Sequence, residues 1–181
     1  MKSGIIILFI LFSLNAFSQD RKGEFIMIND TLSQYGDIDK ILDLGVFKNK
    51  VVYVDIWGTK CGPCLDEFQY LDDLKQRFKD DSVVYLYMCS RYGKTRDKTN
   101  EKLWEELVFK HQLKGVNILI SNECYKDGFW QLYKNHYSEN RLYGIPTYLL
   151  VNKDGDIINF DAPRPSKKEI LYAEIQKLLD E

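Results

Sequence analysis

The feature that most constrains this chain is a pair of cysteines, Cys61 and Cys64, placed between a predicted strand and a predicted helix. Residues 51–54 before the pair are apolar and mostly β-branched, the pattern of a strand buried on both faces. After Cys64, apolar side chains recur at helical spacing among charges. A disulfide that encloses only two residues would constrain little of the unfolded chain. The pair is therefore better explained by chemistry than as a structural crosslink.

The start of a helix changes the reactivity of a cysteine. The first N–H groups of a helix lack partners, and that end carries about half a positive charge. We therefore expect a stabilised thiolate at Cys61, which makes Cys61 the nucleophile. Pro63 fits the first turn, where its missing N–H has no consequence. Cys64, one turn further on, is predicted to be shielded yet close enough to attack a mixed disulfide at Cys61.

Zinc sites also use two cysteines at this spacing, but they need a second pair of ligands. Cys89 and Cys124 are isolated from each other, and His111 and His136 fall in predicted helices. We therefore expect redox chemistry, with no metal and no cofactor beyond the cysteine pair. Cys89 and Cys124 are interpreted as buried free cysteines. A disulfide between them stays open as an alternative.

The predicted elements follow the order βαβαβα and then ββα. Alternating strands and helices favour parallel strands joined by crossovers, and a turn at 153–156 predicts a closing antiparallel hairpin. The last helix is predicted to start at a capping box of Ser166 and Glu169, with Ile170, Ile175 and Leu178 facing inward. The fold class is α/β, with a mixed central sheet flanked by helices. We predict strands at 50–56, 83–88, 116–120, 148–151 and 157–160, and helices at 64–79, 99–113, 128–137 and from 166.

Residues 1–18 have the layout of a secretory signal peptide. Lys2 precedes an apolar stretch at 5–14, and Ala16 and Ser18 are small residues ahead of a cleavage site. The stretch is shorter than the roughly 20 residues that span a bilayer. We expect the mature chain to begin near Gln19 in the periplasm or another extracytoplasmic space.

Size and composition favour one domain, residues 19–181. The chain has 181 residues, of which 45% are hydrophobic, which suits a single core. Its formal net charge of -2 gives no indication of a nucleic-acid partner. We expect a monomer that binds no nucleic acid.

Two segments resemble parts of thioredoxins. The segment at 51–64, Val-Val-Tyr-Val-Asp-Ile-Trp-Gly-Thr-Lys-Cys-Gly-Pro-Cys, resembles their active-site segment. The segment at 143–147, Tyr-Gly-Ile-Pro-Thr, resembles their cis-proline loop and is followed by an apolar strand. With the export signal and a long insert between Arg91 and Asn140, the chain is most similar to the TlpA/ResA-like branch of extracytoplasmic thioredoxins. The resemblance implies a thioredoxin-like fold with an αβ insert of that type.

The resemblance also implies a substrate-binding surface. It places a cis peptide bond before Pro146, against the cysteine pair. The backbone of Ile145 is then expected to pair with an extended segment of substrate, as a strand added to an edge. Trp57, Gly62 and Pro63 complete the predicted surface.

Two acids match acids of the family. Asp55 matches the buried carboxyl of thioredoxins, which would accept the proton of Cys64 through water. Glu67 matches the acid that the TlpA/ResA branch places near its cysteines, with a solvated charge on the helix face as the alternative. The chain departs from the family at Lys60, where an aromatic residue is usual, and at Gln69, where many relatives have a proline that kinks the helix.

The resemblance implies an exported thiol–disulfide oxidoreductase that reduces disulfides in exported proteins through Cys61 and Cys64. A membrane thiol donor would then return electrons to the pair. A thiol oxidase or isomerase would use the same residues at a higher reduction potential, and a copper-handling protein would use the two sulfurs as soft ligands. Peroxide reduction would need a threonine-bearing cysteine loop, which is not apparent in the sequence.

Overall fold

A computed structural model of the chain describes residues 24–30, 33–91, 98–137 and 144–181. The predicted signal peptide lies outside these residues. The described part forms a central sheet with helices on both faces.

The sheet has six strands in the described residues, in the order β1-β4-β3-β2-β5-β6. Strands β1 to β4 run parallel, and β5 runs antiparallel to both β2 and β6. The mixed sheet predicted from the sequence is therefore confirmed. The strands are β1 (Phe25–Asn29), β2 (Val51–Gly58), β3 (Val83–Ser90), β4 (Gly115–Ile120), β5 (Thr147–Val151) and β6 (Ile157–Asn159).

The helices are α1 (Ile38–Leu42), α2 (Gly62–Glu67), α3 (Leu71–Arg77), α4 (Lys98–Lys110), α5 (Trp130–His136) and α6 (Lys168–Asp180). Short 3₁₀ turns lie at Gly45–Phe47, Phe68–Tyr70 and Pro165–Lys167, and a π-helical turn, Cys124–Phe129, leads into α5. No helix within the described ranges is both long enough and apolar enough to cross a bilayer.

Two hydrophobic cores lie on opposite faces of the sheet, because successive side chains of a strand point to opposite sides. Helices α2, α3, α4 and α6 cover one face, called here the α2 face. Helix α1, the π-helical turn and α5 cover the other, called the α1 face. Strand β2 is buried along its whole length and sends Tyr53 and Trp57 to the α2 face and Val52, Val54 and Ile56 to the α1 face.

Strand β1 and helix α1 precede the first predicted strand and were missing from the predicted order. Among the described strands, β1 is an edge strand that pairs only with β4, and Ile26 on it is 39% exposed. Its pairing partner β4 lies far along the chain, so the short apolar run at Phe25–Asn29 did not identify β1 as a strand. The observed order of strands and helices therefore begins one strand and one helix earlier than expected.

The helix predicted over 64–79 is interrupted. A 3₁₀ turn at Phe68–Tyr70 separates α2 from α3. The side-chain amide of Gln69 donates to the carbonyl of Asp66, at 2.7 Å. Phe68 packs edge-on against Trp57, with ring centroids 5.2 Å apart. The helix is thus broken at the position of the family's proline, although Gln69 stands there.

The predicted start of the last helix is wrong. Helix α6 begins at Lys168, and its N-cap residue Lys167 makes no side-chain capping bond. Ser166 lies in the 3₁₀ turn before α6, and its hydroxyl donates to Glu67 of α2 instead of capping α6. The inner face was also misassigned at one position, because Ile170 is 59% exposed and Leu171 is buried in its place.

Candidate active site

The cysteine pair lies where β2 leaves the sheet and α2 begins. Cys61 is the N-cap residue of α2, and its sulfur accepts a hydrogen bond from the backbone N–H of Cys64, at 3.2 Å. Its own N–H donates to the carbonyl of Gly58, which closes the turn. Pro63 occupies the first turn of the helix. The sulfur of Cys61 therefore points at the N–H groups of the helix start, where negative charge is stabilised.

Cys61 and Cys64 form a disulfide, with Cα atoms 5.2 Å apart. Cys61 is 8% exposed, and Cys64 is fully buried. Between them, Gly62 and Pro63 are exposed, as is Lys60 just before the pair. An incoming group therefore reaches the sulfur of Cys61 before that of Cys64.

The predicted cis peptide bond is present between Ile145 and Pro146. Strand β5 starts directly after it, and Thr147 pairs with Ile56 near the end of β2. The hydroxyl of Thr147 donates to the carbonyl of Gly144, at 2.6 Å, and so closes the loop. Because β2 and β5 are antiparallel, the cis-proline loop before β5 lies at the same end of the sheet as Cys61, which follows β2.

Asp55 lies in the middle of β2 and is fully buried on the α2 face. Its neighbours across the sheet are Tyr87 of β3 and Tyr148 of β5. Within the described residues, neither carboxyl oxygen has a hydrogen-bond partner. Burial raises the pKa of Asp55 well above its ordinary value, and the charge of Glu67 raises it further. The environment therefore favours the neutral carboxyl.

Glu67, at the end of α2, is buried and bonded to the segment before α6. The backbone N–H of Ser166 donates to one carboxylate oxygen at 3.0 Å, and the Ser166 hydroxyl donates to the other at 2.9 Å. The guanidinium of Arg164 lies 4.0 Å from the same carboxylate. The interpretation of Glu67 as a solvated helix-face charge is therefore wrong.

Trp57 is completely buried beneath the cysteine turn. It packs against Phe68 and pairs across the sheet with Cys89. In this structure Trp57 offers no surface to a substrate, so it supports the site from inside the core.

Cys89 and Cys124 are both free and buried. Cys89 lies on the α2 face and Cys124 on the α1 face, so the sheet separates them and excludes a disulfide between them. Burial raises the pKa of Cys124 to about 12 and raises that of Cys89 further. Both are therefore unreactive thiols in the folded protein.

Sequence reasoning missed the residues around the two acids. Tyr53 donates its hydroxyl to the carbonyl of Pro163, at 2.7 Å, and its ring stacks on that of Tyr148. Ser166 and Arg164 engage Glu67. The resemblance to thioredoxins identified Asp55, but only the pairing with β5 reveals that Tyr148 lies beside it.

The described residues contain no group of three or more His, Cys, Asp or Glu side chains arranged to hold a metal ion.

Residues 24–174 match the Redoxin family. The chain belongs to the Redoxin family. This match covers most of the chain and includes the cysteine pair, the cis-proline loop and both acids. The Redoxin-family assignment agrees with the thioredoxin-like fold expected from the two motifs.

Known relatives of this Redoxin-family chain include thiol–disulfide enzymes. Thiol-disulfide oxidoreductase ResA of Bacillus thuringiensis subsp. konkukian is 24% identical over 131 residues, which cover 72% of this chain and 65% of ResA. The matched region thus spans slightly less than two thirds of that relative. The resemblance to ResA-like thioredoxins stated from the motifs is confirmed. Glutathione peroxidase 1 of Helianthus annuus is 25% identical over 149 residues, covering 76% of this chain and 86% of the peroxidase.

A solved structure confirms the fold. The thioredoxin domain of a thiol-disulfide oxidoreductase from Bacteroides vulgatus superimposes with a TM-score of 0.57 at 23% sequence identity. The superposition covers 75% of this chain and 84% of that domain. The Redoxin-family chain therefore has a thioredoxin-like α/β fold.

Proposed function

We propose that this protein is an exported thiol–disulfide oxidoreductase that reduces disulfides in other exported proteins. The observation that carries the proposal is the asymmetric pair at the start of α2. Cys61 is 8% exposed and caps the helix with its sulfur, while its disulfide partner Cys64 is fully buried. Two such sulfurs can accept and return two electrons without a bound cofactor. The similarity to ResA supports the same chemistry.

The reaction starts from the reduced pair. The Cys61 thiolate attacks a substrate disulfide, so that one substrate sulfur leaves as a thiolate and a Cys61–substrate disulfide forms. Cys64 then loses its proton and attacks the sulfur of Cys61. The mixed disulfide breaks, the second substrate thiol leaves, and the Cys61–Cys64 disulfide remains. The substrate gains the two electrons that the pair loses.

Asp55 is the proposed acceptor of the Cys64 proton, through water. Burial raises the pKa of Asp55, which makes its carboxylate a stronger base toward the Cys64 thiol. Glu67 is the second proposed acid, three residues after Cys64 on the same helix. Its carboxylate is held by Ser166, so its position is fixed relative to α2.

The proposed substrate surface surrounds the sulfur of Cys61. Gly62 and Pro63 are exposed beside it, and Ile145 and Pro146 are partly exposed at the same end of the sheet. The backbone of Ile145 is proposed to pair with an extended substrate segment. Trp57 would support this surface from below.

Export and the electron supply are also part of the proposal. Residues 1–18 have the pattern of a signal peptide with cleavage before Gln19, which indicates an extracytoplasmic, for example periplasmic, location. An oxidising compartment does not keep the pair reduced. A membrane thiol donor is therefore proposed to return two electrons to the Cys61–Cys64 disulfide after each cycle.

The deciding experiment measures the reduction potential of mature protein in defined thiol buffers, with Cys61→Ser and Cys64→Ser as controls. We expect a value near that of thioredoxin, about -270 mV. A strongly oxidising value, about -120 mV, would indicate an oxidase or isomerase instead. If neither cysteine exchanges, thiol–disulfide chemistry itself is wrong for this protein.

A second candidate, peroxide reduction, is favoured by the similarity to glutathione peroxidase 1. The test is consumption of hydrogen peroxide by the reduced protein, compared with Cys61→Ser. We expect consumption no faster than that of an ordinary thiol. Copper titration of the same reduced protein tests the copper-handling alternative, for which stoichiometric binding is required.

A further inference from the structure

Lys60 stands directly before the nucleophile, and the proposed disulfide exchange gives it no part. The proposed substrate surface comes from two described segments, residues 58–63 and 144–147. Apart from Cys61 itself, Lys60 is the one ionisable residue in these two segments. A substrate that approaches the sulfur of Cys61 therefore passes a positive charge next to the reacting atom.

The turn that carries Lys60 is held by two hydrogen bonds. The N–H of Cys61 donates to the carbonyl of Gly58, at 2.9 Å. The hydroxyl of Thr59 donates to the side-chain oxygen of Asn100 on α4, at 3.1 Å, and both of these residues are buried. Thr59 therefore anchors the turn inside the protein. Lys60 is exposed, and its Cα atom lies about 3.8 Å from that of Cys61.

The ammonium group of Lys60 has no ionic partner in the part of the chain that the structure describes. The ion pairs found there do not include Lys60. The next acids along the chain are Asp66, which is exposed, and Glu67, whose carboxylate is bonded to Ser166. A cation without an internal partner is free to pair with a carboxylate of another molecule.

We propose that Lys60 selects substrates in which acidic residues flank the disulfide. This inference rests on the proposed function and adds a class of substrate to it. The covalent steps are those of the disulfide exchange, with Cys61 as the nucleophile and two electrons passing to the substrate. A glutamate or aspartate beside the substrate cysteine lies near the ammonium group of Lys60 during the attack. A lysine or arginine in that place is repelled.

The size of the preference follows from the exposure of Lys60. Water weakens the attraction between exposed charges, and an exposed ion pair changes an equilibrium by a factor of roughly 1.5 to 5. Salt should remove the preference, because charges are screened over about 10 Å at 0.1 M ionic strength and about 3 Å at 1 M. Lys60 therefore biases the choice among substrates, and the chemistry itself does not require it.

Lys60 also acts on Cys61, and the two effects must be separated. A cation beside a thiol favours the thiolate, which changes the rate with every substrate by the same factor. Selection changes the ratio of the rates for substrates of opposite charge. This ratio is therefore the quantity that tests the inference.

The experiment mixes reduced mature protein with disulfide-linked dimers of a short peptide. The peptide cysteine is flanked on both sides by glutamate, glutamine or lysine. Single-turnover rate constants are measured by acid quench and mass spectrometry, and comparison between variants cancels the intrinsic reactivity of each peptide. We expect the glutamate-to-lysine ratio to be about ten-fold higher in wild type than in Lys60→Gln, because attraction and repulsion each contribute about three-fold. In Lys60→Glu the ratio should fall below that of Lys60→Gln by a similar factor.

Lys48→Glu is the matched control. Lys48 is exposed and precedes β2, whereas Cys61 follows the end of that strand. The 8 residues of β2 separate the two sites by about 26 Å, which is more than the screening length at 0.1 M salt. This substitution changes the net charge as much as Lys60→Glu does. Its glutamate-to-lysine ratio should equal that of wild type.

A second measurement does not depend on rates. In Cys64→Ser the mixed disulfide at Cys61 is not resolved, so the glutamate and lysine peptides, supplied as thiols, compete for Cys61 at equilibrium. The preference for the glutamate peptide should be about ten-fold greater in Cys64→Ser than in the double variant that also carries Lys60→Gln. It should disappear at about 1 M salt.

The outcomes separate this inference from the proposed function. If all three peptides are reduced and the ratio is the same in wild type, Lys60→Gln and Lys60→Glu, the selection is wrong and the oxidoreductase proposal stands. A shift in Lys48→Glu as large as that in Lys60→Glu would assign the effect to net charge and would also overturn the selection. If wild-type protein reduces no peptide faster than Cys61→Ser does, the proposed function is wrong, and Lys60 has no substrate to select.

Discussion

At the scale of single residues, the chemistry of Asp55 is determined by what surrounds it. The strand that carries it is buried along its whole length, and the side chains opposite it are the aromatic Tyr87 and Tyr148. Removal from water penalises the charged carboxylate, and the nearby Glu67 adds repulsion between like charges. The Asp55 carboxylate thereby becomes a stronger base, as its proposed role as acceptor of the Cys64 proton requires.

The first prediction is that Asp55→Asn stabilises the protein in a pH-dependent way. Because the pKa of Asp55 is raised in the folded state, wild-type stability falls as pH rises from about 3.9, the unfolded value, toward the folded value. Asparagine carries no charge and avoids this loss. We expect the variant to be more stable than wild type by about 1–3 kcal/mol near neutral pH, with the difference vanishing in acid. Urea unfolding of oxidised protein at several pH values measures it.

Asp66→Asn is the matched control, because Asp66 is an exposed aspartate of helix α2. This substitution should change stability little at any pH. Equal stability of Asp55→Asn and wild type across the pH range would contradict the assignment of Asp55 as a desolvated acid.

At the scale of elements, Glu67 joins the active-site helix α2 to the start of α6. Its two bonds to Ser166 cross 99 positions of the sequence. The bonded oxygens are partly buried, so loss of either partner leaves polar atoms of the other without a full set of bonds. The contact thus fixes the end of α2 against the C-terminal part of the fold.

The second prediction is a measurable coupling between Glu67 and Ser166. In a double-mutant cycle of Glu67→Ala and Ser166→Ala, the free energies of unfolding should deviate from additivity by about 1 kcal/mol. Lys168 and Asp73 supply the matched control, because they form an exposed ion pair that also joins α6 to the active-site side. That cycle should show a smaller coupling, since exposed ion pairs contribute little. Equal coupling in the two cycles would show that burial of Glu67 does not strengthen its bonds.

The same elements show what local sequence could and could not predict. The strands β2, β3 and β4 were predicted because buried parallel strands carry continuous apolar runs. Ser166 and Glu169 match a capping box, but the hydroxyl binds a carboxylate 99 positions away, which no local pattern contains. The break at Gln69 depends likewise on how Phe68 packs against Trp57 in the core.

At the scale of the whole molecule, the sheet determines which residues meet. Cys61, Cys64 and the cis bond before Pro146 were predicted because each belongs to a short motif. Tyr148 could not be placed beside Asp55 in the same way, because their proximity depends on the register between β2 and β5. Sequence reasoning therefore located the sulfur chemistry and missed the groups that surround the buried acid.

The third prediction follows from the separation of the two cores. Cys89 and Cys124 are free, fully buried and on opposite faces of the sheet. No cysteine of the native oxidised protein should therefore be alkylated. After denaturation, the oxidised protein should be alkylated at two thiols and the reduced protein at all 4 cysteines. In native reduced protein Cys61 should react first, because it is 8% exposed and Cys64 is fully buried. Intact mass after alkylation measures each state. Absence of free thiols in the denatured oxidised protein would mean that Cys89 and Cys124 pair, which two cores separated by a sheet do not allow.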